Sequence, residues 1–224
     1  MTDSITHSSF DPRRADAARY HIMWRLVPSV NHKLAGSMQP ITMMAGMLAR
    51  QLQRAQTDPQ TLVKLATDMQ LACKSAIAAR TDVLTWFQPS EQHLGSIDAE
   101  VAQSINMLTA EFAIQGCSID NQVQDRPQAV LKSNLRTVLI AVLFAVLDTA
   151  RDAVVVQLRA LPPSGNDGTT IALSWTALPA SDLRSSNDTR HTIGWEDVQA
   201  LADQTGVGMR RAGDRCEMDF AAAS

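Results

Sequence analysis

One histidine lies in a stretch of sequence that could present it for chemistry. Val27 and Val30 begin an apolar series with alternating spacings of three and four residues, and His32 follows Val30 by two residues. If Val27 and Val30 occupy positions a and d of a heptad, His32 occupies position f, on the outward face of a helix. An exposed imidazole can act as a nucleophile or proton carrier. An ordinary surface histidine has the same placement, so position alone assigns no function.

The residues after His32 weaken the helix that would carry it. Pro40 follows His32 by about two turns, and in a helix its ring collides with the carbonyl of Gly36 and removes one hydrogen bond. Such an interruption costs about 3 kcal/mol in a helix interior. Packing alone does not explain that cost, so the stretch from His32 to Ile41 is a candidate functional site.

This stretch resembles the phospho-acceptor box of sensor histidine kinases, which reads His-Glu-Leu-Arg-x-Pro-Leu-x-x-Ile. His32, Leu34 and Ile41 match the box directly. Met38 matches it approximately, and Ser37 stands where the family has its proline. The resemblance implies that His32 is a phospho-acceptor.

The residue after the histidine departs from the family pattern. Kinases of this family usually have an acidic residue there, which acts as a base in autophosphorylation, whereas this chain has Lys33. A charged lysine cannot accept a proton, but it can pair with a phosphoryl group or with an acidic partner surface. A solvated lysine on the helix surface is the commoner case. We expect docking contacts from the neighbours of His32, namely Lys33, Gly36, Ser37 and Gln39.

Two long helices are predicted to position this histidine. Residues 11–87 carry two stripes with heptad spacing, separated by the turn signal Thr57-Asp58-Pro59. Their members are Val27, Val30, Leu34, Ser37, Ile41, Met44 and Leu48, then Leu62, Leu65, Met69, Ala72, Ala76, Ala79, Val83 and Trp86. The stripes predict a long antiparallel helical hairpin that forms a dimeric four-helix bundle with a second copy. Covering of the hairpin by the second domain is the alternative.

The pattern changes to mixed α/β after Gln88-Pro89-Ser90. An apolar helix is predicted over Gln128–Arg151, two strands over Ala153–Leu161 and Thr169–Ala177, and a final hairpin over Val207–Phe220. Helices on one face of a mixed sheet make an α/β sandwich. The predicted fold class is therefore α+β, with a helical hairpin over residues 1–89 and an α/β domain over residues 90–224.

The order of these parts extends the resemblance over nearly the whole chain, and the second domain resembles the ATPase domain of histidine kinases. Its nucleotide site is degenerate: Ala141 and Ala145 stand where the family has asparagines that hold magnesium, and methyl groups cannot ligate that ion. The run Thr176–Ala180 lacks the family's Asp-x-Gly-x-Gly turn, and Gly194 is the only glycine between residues 169 and 205. We expect no cofactor, no ATP-dependent kinase activity, and magnesium only from a partner receiver domain.

Composition excludes several other classes. The 224 residues carry 20 Lys+Arg against 23 Asp+Glu, a balance that gives no field for nucleic acid. No apolar run is long enough for a transmembrane helix, and the N-terminus lacks a signal-peptide pattern, so a cytoplasmic location is expected. The three cysteines show no metal-ligand spacing.

Two functions fit these observations. In the first, the chain is a dimeric histidine phosphotransferase that relays phosphoryl groups between receiver-domain aspartates of response regulators through His32. In the second, it is a non-catalytic pseudokinase or adaptor that binds a response regulator or a sensor kinase through the same helices. Lys33, Ser37 and the degenerate nucleotide site favour the second reading, and the presence of His32 favours the first.

Overall fold

The computed structural model of the chain describes residues 11–54, 58–87, 93–124, 128–150, 152–161, 168–178 and 192–221. Within these ranges the elements are α1 (Pro12–Leu52), α2 (Pro59–Phe87), β1 (Leu94–Ser96), α3 (Ile97–Ile114), β2 (Ser118–Asn121), β3 (Ala129–Leu131), α4 (Lys132–Thr149), β4 (Val154–Leu161), β5 (Thr169–Ala177), α5 (Trp195–Thr205), β6 (Gly208–Ala212) and β7 (Arg215–Phe220). The predicted α+β class is confirmed. The predicted joint at residues 88–90 and part of the run Thr176–Ala180 lie outside the described residues.

The chain divides into two compact units; one boundary lies after Pro89, where the sequence analysis placed it, and a second lies after Leu26, where none was expected. One unit contains Met1–Leu26 together with Ser90–Ser224, and the other is Val27–Pro89. The first turns of α1 therefore pack with the α/β domain rather than with the rest of the predicted hairpin. The physical reason is the buried apolar face of Ala15, Ala18, Ile22 and Leu26, whose partners lie far away in sequence.

The two long helices begin at aspartate caps that the sequence contains. Asp11 precedes Pro12, and its Oδ1 accepts hydrogen bonds from the backbone N–H groups of Arg13 and Arg14 at 3.0 and 3.3 Å. Asp58 precedes Pro59 in the same way and accepts from the backbone N–H of Gln60 at 3.1 Å. That hydrogen bond favours the ionised carboxylate, so it lowers the pKa of Asp58. An aspartate cap followed by proline at the first helical position fixes both helix starts.

The α/β domain is a mixed five-stranded sheet with a helical layer. The strand order is β2-β4-β5-β7-β6, in which β2 and β4 run parallel and the other neighbours run antiparallel. The strands predicted at Ala153–Leu161 and Thr169–Ala177 are confirmed as β4 and β5, and the final hairpin is confirmed as β6 and β7. Helix α4 packs against both α3 and α5 and is buried from Val138 to Leu147, so it forms the centre of the core.

The helix predicted over Gln128–Arg151 begins later than expected, because its first residues form strand β3. Val130 pairs with Gly95 of β1 in a separate two-stranded antiparallel ribbon. Gly95 is needed in that ribbon: a Cβ there would lie 2.5 Å from Oε1 of Glu100 and 2.8 Å from Cε of Lys132. Glu100 is itself buried and bound to Arg136, so it cannot move aside at low cost.

Candidate functional site

His32 lies in the interior of α1 and is exposed, as its predicted outward position requires. Successive residues of an α-helix are rotated by about 100°. Gly36 and Gln39 therefore fall within about 40° of His32 around the helix axis, and both are exposed. The structure thus brings three of the predicted site residues onto one open face.

Lys33 and Ser37 lie on a different side of the same helix. Both are half-buried, and Ser37 belongs with Leu34 to the predicted stripe. The hydroxyl of Ser37 donates a hydrogen bond to the backbone carbonyl of Leu34 at 2.8 Å, so it turns back onto its own helix. Lys33 borders the open face, whereas Ser37 does not share it. The docking roles of all four neighbours stay predictions.

The backbone around this face is weakened at two points. Pro40 is within α1 and cannot donate to the carbonyl of Gly36, and Pro28 likewise cannot donate to the carbonyl of Trp24. His32 lies between these two interruptions. Gly36 is in an ordinary helical conformation, and a Cβ added to it would meet nothing within 4 Å. The fold itself therefore does not require glycine at position 36.

The predicted stripes are the less exposed positions of the unit Val27–Pro89. Beyond Val27, which is exposed, every α1 member is half-buried or buried, and the same holds for the α2 members through Val83. Other large apolar side chains of this unit are exposed: Met38, Met43, Met47, Leu52, Val63, Leu71, Ile77 and Leu84. Such a concentration of exposed apolar surface is typical of an association surface. The dimeric bundle itself stays a prediction.

The two alanines at which the sequence resemblance implies a lack of magnesium ligands lie inside the core. Ala141 and Ala145 are fully buried in α4. Among the residues that the structure describes, no group of three or more histidine, cysteine or acidic side chains is arranged to hold a metal ion. The described helices also include none that is long and apolar enough to cross a membrane.

Two tryptophans of the α/β domain, Trp175 and Trp195, stack on each other. The rings of Trp175 and Trp195 are 5.5 Å apart between centroids, with 17° between their planes. The guanidinium carbon of Arg211 lies 4.2 Å from the centre of the Trp195 ring. Trp195 therefore takes part in both a ring stack and a cation–π contact.

None of the three cysteine thiols is as accessible to a partner as the imidazole of His32. Cys117 and Cys216 are buried, and Cys73 is half-buried. Burial raises the pKa of the Cys216 thiol to about 11. The thiolate is the reactive form, so Cys216 is inert near neutral pH.

A partly buried ionic cluster in the α/β unit was missed by the sequence analysis. Arg25 bonds Oε1 of Glu111 through Nη2 at 2.6 Å and Oδ2 of Asp148 through Nη1 at 2.5 Å. Its guanidinium carbon lies 3.9 Å from the centre of the Phe144 ring. The same Asp148 oxygen accepts a hydrogen bond from the backbone N–H of Ile193 at 2.8 Å. We call these groups the Arg25 cluster; their separation in sequence leaves no local signal by which they could have been found.

Among known proteins, the chain is similar only to solved structures. No family model matches the chain, and no curated protein matches it. The histidine kinase AdeS of Acinetobacter baumannii is similar at 13% identity over 83% of this chain and 96% of that one, with a TM-score of 0.44. The blue-light-activated histidine kinase EL346 of Erythrobacter litoralis is 13% identical over 88% of this chain and 63% of that one, with a TM-score of 0.45.

A third similar structure is the catalytic domain of the histidine kinase ThkA. It is 9% identical over 58% of this chain and 94% of that one, with a TM-score of 0.42. At these values no family is assigned, and the function has to be argued from the chain's own residues.

Proposed function

We propose that this protein is a histidine phosphotransferase that relays phosphoryl groups between the receiver-domain aspartates of response regulators through His32. The observation that carries the proposal is the exposed imidazole of His32 on a helix face that Gly36 and Gln39 leave open. A receiver that presents an aspartyl phosphate needs both an accessible nucleophile and room for its own backbone beside that nucleophile.

The transfer needs a neutral imidazole. Its Nε2 attacks the phosphorus of the aspartyl phosphate, the bond from phosphorus to the aspartate oxygen breaks, and the carboxylate leaves with the electron pair. The product is a phosphohistidine, and the reverse step on a second receiver regenerates the imidazole. The receiver's own acidic cluster supplies the magnesium, because Ala141 and Ala145 offer no oxygen ligand. In this scheme His32 forms and breaks the bond to phosphorus, and its neighbours bind the partner.

Transfer from a receiver is a better proposal than autophosphorylation. ATP chemistry would need magnesium ligands and a glycine-rich phosphate loop in the α/β domain. The positions of the ligands carry methyl groups that are fully buried. The base expected beside the histidine is replaced by Lys33. Each difference affects the kinase reaction, and none affects attack by an exposed imidazole on a phosphorylated partner.

A non-catalytic adaptor is the second candidate, and Lys33 together with Ser37 favours it. Lys33 adds positive charge next to His32, and this suits binding of an acidic receiver surface whether or not a phosphoryl group is transferred. Under this proposal, a receiver or a sensor kinase binds the same face and is regulated by occupancy. His32 would then contribute contact area and no chemistry.

One experiment separates the two proposals. The full chain is incubated with response regulators whose receivers carry a radiolabelled phosphoryl group, and acid-labile label on this chain is measured. We expect label on the wild type and on His93→Gln, which removes another exposed histidine, and no label on His32→Gln. A His32→Gln protein that still binds the regulator confirms that docking survives. Equal label on His32→Gln and wild type would refute the relay, and binding with no label on any form would favour the adaptor.

A further inference from the structure

The first four turns of α1, Pro12–Leu26, form a helical segment that is docked on the α/β domain; we call it the latch segment. Its inner face consists of Ala15, Ala18, Ile22 and Leu26, at spacings of three and four residues, and each is at most 5% exposed. The two alanines allow the helix to approach its neighbours closely. This face makes the latch segment a fourth helix of the domain that contains α3, α4 and α5.

Polar contacts hold the latch segment at both ends. Near its start, Arg14 bonds Glu196 and Asp197 in the first turn of α5, each at 2.7 Å. This pair is well exposed, since the side chains of Arg14 and Glu196 are 41% and 80% exposed. In the middle, Arg19 donates to the side-chain oxygen of Gln204 at 2.9 Å. The exposed ion pair of Arg14 with Glu196 adds little free energy.

The Arg25 cluster at the other end is different because its side chains are much less exposed. The side chains of Arg25, Glu111 and Asp148 are only 8%, 12% and 9% exposed. Apolar side chains of similar size often stabilise such a place at least as well as ions, so a largely desolvated ionic cluster is weak evidence for stability, and a switching role can be tested. The cluster joins four parts of the fold. Arg25 of α1 bonds Glu111 of α3 and Asp148 at the end of α4. Asp148 in turn accepts from the backbone of Ile193, which leads into α5.

The latch segment ends where α1 is weak. Leu26 is the last residue of α1 that belongs to the same compact unit as the α/β domain. Pro28 follows, and it leaves the carbonyl of Trp24 without its helical hydrogen-bond donor. His32 comes one turn after Pro28. Side-chain contacts therefore hold the helix up to Arg25, and its hydrogen-bond pattern is interrupted directly afterwards. This arrangement is expected of a helical segment that can detach from the domain at this point.

We infer that the Arg25 cluster is a releasable lock, and that opening of the latch segment controls how the helix carrying His32 is presented to its partner. Arg25 is then a positioning residue, since it touches neither the imidazole nor the phosphoryl group. The effect on transfer rests on the proposed function. The opening itself does not, so it is measured separately by amide hydrogen exchange.

The first test uses the wild-type full chain at neutral pH. If the latch segment opens on its own, its amides exchange at least tenfold faster than those of α4, because α4 exchanges only when the domain unfolds. If both exchange at the same rate, the latch segment is an integral part of the core and the inference is wrong. This arm needs no variant and no partner.

The second test compares Arg25→Met with Arg14→Met, a matched control that removes the exposed ion pair at the other end. We expect Arg25→Met to speed exchange in the latch segment at least tenfold while exchange in α4 stays within threefold of wild type. Arg14→Met should change latch exchange less than threefold. Equal effects of the two variants, or an increase spread evenly over the domain, would overturn the assignment of the lock to Arg25.

The third test measures phosphoryl uptake by His32 from a phosphorylated receiver with the same proteins. We expect the uptake rate to change at least threefold in Arg25→Met and to stay at the wild-type value in Arg14→Met. An open latch segment with an unchanged uptake rate would refute its control of transfer. If the wild type takes up no phosphoryl group, the proposed function fails, and the lock is then judged by the exchange measurements alone.

Discussion

Replacement of Gly36 by alanine should affect the stability of the chain and its affinity for the partner in opposite directions. Gly36 and Gly46 lie in the same helix, both are exposed, and a Cβ on either would meet nothing within 4 Å. Glycine in a helix interior is less favourable than alanine by about 1 kcal/mol. Each substitution should therefore stabilise the chain by up to about 1 kcal/mol, with similar rises in Tm.

The two variants should differ in function, because only Gly36 lies one turn from His32. Side chains four residues apart on a helix are neighbours at about 5–6 Å between Cβ atoms. A methyl group at position 36 would thus stand where the partner's backbone approaches the imidazole. We expect Gly36→Ala to weaken receiver binding about tenfold, which corresponds to about 1.4 kcal/mol, and Gly46→Ala to leave it unchanged.

The assay is a binding titration of the receiver against the wild type and the two variants, with Tm measured on the same samples. A stabilised Gly36→Ala protein with unchanged affinity would refute close approach at this position. Equal loss of affinity in both variants would show that helix flexibility matters, and that the open face beside His32 does not.

Three further predictions concern stability and association. Gly95→Ala should destabilise the chain by about 1–3 kcal/mol in chemical denaturation, since the new methyl group would overlap Glu100; an unchanged midpoint would contradict the packing described for β1. Because the pKa of Cys216 is raised to about 11 in the folded chain, its thiol ionises at lower pH in the unfolded chain than in the folded one. The free energy of unfolding should therefore keep its full value below about pH 9 and fall as the pH rises towards about 11. This loss should be absent in Cys216→Ala, and a loss of equal size in that variant would assign it to other groups. Ile77 is an exposed apolar side chain of α2, so Ile77→Glu should shift the expected homodimer towards monomer in light scattering. Lys74→Glu, which changes an exposed charged residue of the same helix, should not do so. A dimer that persists in both variants would place the interface elsewhere.

Helix periodicity predicted much of the structure around His32, because the relevant signal is local. The stripe that begins at Val27 and Val30 corresponds to positions of low exposure, and the position of His32 relative to that stripe predicted its exposure. The caps at Asp11 and Asp58 are also local, since each acts on residues two or three positions away. Patterns of this range can be read without knowledge of the fold.

Long-range contacts account for what the sequence did not reveal. Residues 129–131 are apolar and precede a strong helix, so they were predicted as its first turn; pairing with Gly95 of β1 makes them a strand instead. The latch segment has the composition of any amphipathic helix, and its ionic partners Glu111 and Asp148 are 86 and 123 residues away from Arg25. Only the folded arrangement shows that the start of α1 belongs to the α/β domain.

The most direct test of the account is to map the phosphorylated residue by mass spectrometry at neutral pH, after the full chain has been mixed with a phosphorylated response regulator. The account predicts one phosphoryl group, on the peptide that contains His32, and its loss on acid treatment. A phosphoryl group on any other residue would contradict the account. The account would also be contradicted if the regulator binds this chain and loses its phosphoryl group only by hydrolysis, while the chain itself stays unmodified.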